Sequence, residues 1–249
     1  MIAIHNPNLP TAPVKLVIMS GEYKFLNVSM SKLSISVLNC ETNILLDRSI
    51  CNHSDILIHH LGDNNILMSK EQMFLSKTLL EFGFNINYIK NCIKSPYPND
   101  VRFNAARLGK YLICNPKLLA HEILEIAEYN DLKIIPVNQG YSKCSICAID
   151  EHSIITDDRG ISVACELKGL DTLLISKGSV KIKEYSYGFI GGCTGLIDKN
   201  KLAFCGNVEK HSDYKEILKF LDEHKIDPVN LYEGDLLDIG GIIPISQEI

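Results

Sequence analysis

One pattern recurs along this chain and constrains its fold more than any other feature: two short apolar strands around a turn, an amphipathic helix, and a third strand. Residues 54–90 give two strands around "LGDNN", a helix from about Ser69 and the strand "INYIK". Residues 99–138 repeat the order with "VRFNAA", a turn at Leu108–Gly109, "KYLIC", a helix from Pro116 and "KIIPV". Residues 139–178 follow with "KCSICAI", the turn "DEH", "SIIT", a short helical stretch near Val163–Lys168 and "TLLIS". Residues 187–234 supply "GGCTGLI", the turn "DKN", "KLAFC", a helix from Ser212 to His224 and "VNLYE". A fifth unit is assembled by joining the chain ends, "LLDIGGIIPI" with "VKLVIMSG". The repeat is roughly 40–50 residues long, in the range that marks stacked or closed repeat architectures. Such a chain reads as an α/β ring of five pseudo-symmetric units, one domain over residues 1–249, closed by pairing its own termini.

The helices rest on period and caps. In "SDYKEILKFLDEHK", Tyr214, Ile217, Leu218 and Leu221 form one apolar stripe behind Ser212 as N-cap. "NPKLLAHEILEIAEYN" does the same with Asn115 as cap and Pro116 at the first helical position. Runs rich in Ile, Leu and Val, bounded by Gly, Asn and Asp, are the strands.

The stretch "GFIGGCTG" (188–195) looks like a phosphate loop, but its context is wrong. Such a loop opens a helix, so that amide groups and the helix dipole face the anion; here "LIDKNKLAF", a strand and hairpin turn, follows. "IGG" also occurs twice, at 190–192 and 239–241, at the same stage of two successive units. Small residues, Ala105–Ala106 and Cys144–Ser145, hold the equivalent places elsewhere. Gly191, Gly192, Gly240 and Gly241 are therefore expected where first strands converge on an axis and leave no room for side chains.

Hydrophobic residues at 46% and charged residues at 22% are the balance of an ordinary globular chain. A net charge of −5 without a basic block argues against nucleic-acid binding by phosphate neutralisation. The N-terminus has no basic leader with an apolar core, and runs such as "KLVIM" are too short to span a bilayer, so no membrane association and a cytoplasmic location are expected. Nine cysteines, an odd number without a disulfide framework, then read as reduced thiols.

Within these repeats, "NDVRFNAARLGKYLIC" (99–114), "QGYSKCSICAIDEHSIITDDRGI" (139–161), "YGFIGGCTGLID" (187–198) and "GDLLDIGG" (234–241) resemble a bacterial branch of the pentein superfamily, the guanidino-group-modifying enzyme fold. The resemblance covers nearly the whole chain and implies a five-bladed α/β propeller. In its hydrolases and amidinotransferases a cysteine attacks the guanidinium carbon, a histidine moves protons and carboxylates hold the cation. The resemblance also implies a nucleophile shortly after the C-terminal glycines. Here Gly240 and Gly241 are followed by "IIPISQEI", and Pro244 stands where the thiol is expected. No cysteine follows Cys205 and no histidine follows His224. Two readings result: a hydrolase or transferase of guanidino or amino-acid-like molecules using a displaced thiol, or a non-catalytic ligand-binding or macromolecular-association module.

Cys144, beside Lys143, is the candidate for that thiol, since a neighbouring positive charge lowers a thiol pKa; as a small residue it also suits a crowded axis. Cys144 and Cys147 form a C-x-x-C, but on a strand they face opposite sides, and neither zinc-site spacing nor a following helix accompanies them. No metal and no cofactor are expected. Cys193 follows the glycines and either faces the cleft or packs; Cys92, Cys114, Cys147, Cys165 and Cys205 lie in apolar runs and read as core.

Asp100, Arg102 and Asn104 alternate, and so project to one face of a strand. Asp235 and Asp238 precede the final glycines, and Asp157 and Asp158 end "SIIT", the latter as a helix cap. Such carboxylates match a guanidinium or ammonium, and Arg102 a ligand carboxylate through a two-pronged contact; each also fits a turn, cap or surface pair. Of His59 and His60 at most one lines the cleft, and His121, His152, His211 and His224 fall on exposed faces. The expected partner is a small zwitterionic or cationic molecule, with homo-oligomerisation left open.

Overall fold

The structure, a computed structural model, describes residues 1–249. Five sheets repeat one arrangement, an antiparallel pair followed by a parallel third strand. The first joins β4 (Ile58–Gly62), β5 (Asn65–Met68) and β6 (Asn85–Tyr88); the second β7 (Ala106–Leu108), β8 (Tyr111–Cys114) and β9 (Lys133–Pro136). The third joins β10 (Ile146–Ala148), β11 (Ser153–Thr156) and β12 (Asp171–Leu174); the fourth β14 (Thr194–Asp198), β15 (Lys201–Phe204) and β16 (Asp227–Asn230). In the fifth, β18 (Ile243–Gln247) pairs antiparallel with β2 (Val14–Ser20), which pairs parallel with β3 (Ser36–Cys40). The chain ends thus meet in one sheet, with β1 (Ile2–Ala3) on its edge, while β13 (Val180–Lys181) and β17 (Leu236–Leu237) form a short parallel pair.

Parallel strands need a crossover, and a helix supplies it in every sheet. These are α1 (Lys24–Lys32), α3 (Met73–Glu81), α4 (His121–Tyr129), α5 (Arg159–Glu166) and α6 (Tyr214–Glu223); α2 (Ser54–Leu57) is a single turn ahead of β4. None is long and apolar enough to cross a membrane. Sheets with apolar neighbours on both sides read as near-continuous apolar runs. In β2, Val17 and Met19 enter one core cluster while Leu16 and Ile18 enter another. In β10 and β11, Cys147 and Ile155 face the first cluster and Ile146 and Ile154 a third.

Helix starts differ from the sequence reading where turns intervene. The Asn115 carbonyl accepts the Leu118 and Leu119 amides, holding a turn, so α4 begins at His121 and not at Pro116. Asp213, not Ser212, precedes α6, and α3 begins four residues after Ser69. Asp158 caps α5 as expected, its Oδ1 accepting the Ile161 amide at 3.0 Å.

First strands also start later than expected. Arg102 lies in a turn and Asn104 in the irregular segment before β7; Lys143–Ser145 form a turn before β10, and Gly191–Cys193 a 3-10 turn before β14. Asp100, Arg102 and Asn104 therefore do not alternate on a strand, nor do Cys144 and Cys147. Bonds such as Asn104 N to Val101 O and Ile146 N to Lys143 O satisfy the backbone where the chain turns between crowded neighbours. Those neighbours belong to other units. Gly192 O accepts both Ile239 N at 2.8 Å and Gly241 N at 2.7 Å, so the two Ile-Gly-Gly segments touch. Asp55 N donates to Gly240 O at 3.2 Å, and β10 lies against β7 and β14.

Candidate functional site

The glycines around these turns make room for a carboxylate. Asp238 follows β17, and its side chain is 1% exposed. Its Oδ2 accepts the Phe189 amide at 2.8 Å and its Oδ1 the Gly240 amide at 3.1 Å. A Cβ on Gly192 would fall inside the Asp238 carboxylate, and one on Gly191 against the carbonyls of Lys143 and Ile146. Gly240 has φ +78° and Gly241 φ +79°, the left-handed region, with the backbone of His53 directly over Gly240. Glycine richness here serves an aspartate and close backbones.

Cys144 stands beside that carboxylate, held by the neighbouring unit. The Asn104 side-chain oxygen accepts the Lys143 amide at 2.7 Å and the Cys144 amide at 3.1 Å. Its amide nitrogen donates to Cys144 Sγ at 3.2 Å and to the Asp55 carbonyl at 3.3 Å. The thiol donates to Asp55 Oδ2 at 2.8 Å. Asp55 is supplied by α2, the segment that also brings His53 Nδ1 to 3.7 Å from Asp238 Oδ1. Asp55 Oδ1 is buried with no hydrogen-bond partner.

Burial, followed by the charges of Asp55 and Asp238, pushes the Cys144 thiol well above its ordinary pKa. The lowered thiol expected from Lys143 is thus reversed. Lys143 Nζ points away, toward the Gly191 carbonyl at 3.5 Å, and lines a separate cavity of about 20 Å³ with Asn8, Asp55 and His59. Burial raises Asp55 to about 6, against partial relief from His53 and Lys143. At neutral pH the pair is a thiol donating to a carboxylate.

A cavity of about 250 Å³ opens above Cys144, His53 and Asp238. Its walls are Tyr141, Tyr185, Tyr187 and Phe189, with Ile50 and Ile182. Tyr141 and Phe189 stack with centroids 6.0 Å apart, and Tyr187 meets Phe189 edge-on at 6.2 Å. The arrangement is an anionic, thiol-bearing floor under an aromatic box, which attracts a small cation through charge and ring quadrupoles.

Other residues singled out from the sequence lie around this cavity or away from it. Asp100 is buried and accepts the Tyr141 hydroxyl at 2.9 Å, bracing one wall. Arg102 reaches Asn99 Oδ1 at 3.5 Å and is absent from the lining. Cys193 is fully buried, its Sγ 3.2 Å from the Ile190 carbonyl, and burial holds its pKa well above the ordinary value. Asp235 is exposed, and Asp157 is buried with Oδ1 unpartnered. His59 and His60 are both buried, and burial lowers each to about 4. His211 is buried rather than exposed, and Cys92 exposed rather than core. No group of three or more His, Cys, Asp and Glu side chains is arranged to hold a metal ion.

The residues missed by sequence reading are His53, Asp55 and the four aromatics. A signal for Asp55 existed: it precedes its first strand by the same two or three positions as Asn104, Cys144 and Gly192 precede theirs. Asp157 offers a check on the electrostatics. Burial, partly offset by Lys177, raises it to about 7. A carboxyl with a raised pKa binds more protons folded than unfolded, so it costs stability as pH rises from about 4 to about 7. Asp157→Asn removes that cost. Relative to wild type, its unfolding free energy by urea titration is expected to improve on the order of 2–4 kcal/mol more at pH 8 than at pH 4. An equal change at both values would show that Asp157 keeps an ordinary pKa.

The profile of a family of unknown function (DUF6873) matches residues 18–243. No curated protein matches the sequence. Among solved structures, inosamine-phosphate amidinotransferase from Streptomyces griseus is similar with a TM-score of 0.62 at 10% identity, covering 100% of this chain and 97% of that one. An amidinotransferase of saxitoxin biosynthesis from Microseira wollei gives 0.59 at 10% identity, over 92% and 91%. Agmatine deiminase from C. jejuni gives 0.56 at 13% identity, over 93% and 90%. These are pentein-superfamily enzymes, and this chain shares their mixed α/β fold.

Proposed function

The chain belongs to the family of unknown function DUF6873, and we propose that it binds a small guanidinium-bearing molecule and carries out hydrolase or transferase chemistry on it with Cys144. The five sheets act as blades of one ring-shaped domain, residues 1–249, with the site on its axis. The observation that carries the reading is the Cys144 thiol donating to Asp55 at 2.8 Å on the floor of an aromatic-walled cavity, with Asp238 beside it.

The cation lies between the aromatic walls with its N–H groups on Asp238. Its charge offsets the carboxylates that hold the thiol neutral, which lowers the cost of forming sulfur anion. Asp55, ionised at neutral pH, takes the thiol proton as Sγ attacks the guanidinium carbon. The C–N bond to the departing amine or ammonia then breaks, and the proton passes from Asp55 to that nitrogen. An amidino group is left on Cys144, to be released to water or to an acceptor amine. Asn104 fixes the thiol, and Tyr141, held by Asp100, fixes the wall.

A buried, protonated thiol is also what a non-catalytic binding module would show, and this is the second reading. One experiment separates them. Protein mixed with simple alkylguanidines and quenched in acid should carry the amidino group on the Cys144 peptide by mass spectrometry, and Asp55→Asn should bind the same compounds without forming the adduct. Binding with no adduct in the wild-type chain would leave only the second reading.

A further inference from the structure

The cavity is one-sided in charge. Its acidic side chain is Asp238, with the Asp55 carboxylate directly behind Cys144, and its lining contains neither lysine nor arginine. Lys177 is absent from the lining, its ammonium 5.8 Å from the centre of the Tyr187 ring, and Lys183, also absent from it, is engaged by Glu22. Lys143 lines a different cavity, and Arg102 is absent from the lining of this one. A ligand carboxylate placed here would meet tyrosine, phenylalanine and isoleucine walls and lose its hydration without a countercharge, which is strongly unfavourable. An apolar substituent on the cation would instead bury its surface against those walls. Space sets the size. About 250 Å³ is the volume share of about eight waters, enough for a guanidinium with a short alkyl chain or one ring.

We propose that the site selects monocationic guanidines bearing a compact apolar substituent and discriminates against those bearing a carboxylate, so that free amino acids are poor ligands. This rests on the guanidinium reading above and narrows it to a substrate class. Arg102, the residue that the sequence assigned to a ligand carboxylate, has no part in it.

The test uses the wild-type protein and a matched pair, n-butylguanidine and 4-guanidinobutyrate, titrated calorimetrically at pH 7.5 and low salt. The pair shares its guanidinium and chain length and differs by the carboxylate. n-Butylguanidine is expected to bind at least about tenfold more tightly. Ser186→Arg, on an exposed residue of the lining, should tighten 4-guanidinobutyrate and weaken n-butylguanidine, whose cation the new guanidinium repels, so that the preference narrows or inverts. Equal affinities in the wild-type protein, or tighter binding of the carboxylate compound, would overturn the substrate class while leaving the guanidinium reading intact. Binding of neither compound would overturn both.

Discussion

Gly192→Ala is expected to abolish the native fold or to lower its stability by about 3 kcal/mol or more, with circular dichroism melting as the measurement. The cause is space. Gly192 does not have a positive φ, so alanine brings no conformational strain of that kind. Its added methyl group would overlap the Asp238 carboxylate, which is pinned by the amides of Phe189 and Gly240. The Gly192 backbone is pinned as well, its N–H on the Cys144 carbonyl at 2.9 Å and its C=O shared by Ile239 and Gly241. Neither partner can yield without breaking bonds that cross units. Gly83→Ala supplies the contrast. Gly83 has φ +85°, and nothing lies within 4 Å of where an alanine methyl group would stand, so only backbone strain of about 1–2 kcal/mol is expected. Combining Gly192→Ala with Asp238→Gly should recover part of the loss, because the clashing carboxylate is gone and the two sites are coupled. A Gly192→Ala chain that melts within a few degrees of wild type would show that the glycine is not there for packing against Asp238.

Much of the architecture was legible in the sequence because each unit obeys local rules. Strand pairs such as "KLAFC" carry apolar runs bounded by turn residues, and α6 shows its stripe at Tyr214, Ile217, Leu218 and Leu221. Pairing of the termini followed from needing a partner for "VKLVIMSG", and β18 meets β2 in that manner. Element starts were less legible. The approaches to β7, β10 and β14 look extended by composition, yet they turn, since contacts between units and not local propensity decide their path.

The candidate site divides along the same line. Cys144 was picked out beside Lys143 and Asp238 ahead of the final glycines, while Asn104 was reached through an alternation with Asp100 and Arg102 that the structure does not form. His53 and Asp55 lie in "CNHSDIL", where a four-residue helix gives no periodic signal. Tyr185, Tyr187 and Phe189 come from the irregular segment between β13 and β14, whose place beside Asp238 depends on the β13–β17 pairing. Arg102 misled because its alternation with Asp100 and Asn104 presumed a strand that is not formed.

The second large effect concerns how Cys144 responds to charge. 2-Chloroacetamidine and 2-chloroacetamide have nearly the same shape and the same leaving group, but only the first is cationic. A buried neutral thiol beside Asp55 should react slowly with the amide, since the thiolate is the nucleophile and its formation is opposed by burial and two carboxylates. The amidinium brings its own countercharge to Asp238 and Asp55, so it concentrates in the cavity and eases loss of the thiol proton at once. Charge-assisted contacts of this kind contribute about 1.5–3 kcal/mol, a rate factor of roughly 10–150. Asp238→Asn should reduce the preference, because the isosteric amide keeps the shape and loses the charge. The ratio of Cys144 alkylation rates by the two reagents at pH 7.5, read by peptide mass mapping and divided by the same ratio for a free small thiol, is therefore the most direct measurement. A thiol on the anionic floor of a cation site predicts a normalised ratio on the order of 100, whereas a ratio near one would mean that Cys144 neither faces a cation site nor serves as its nucleophile.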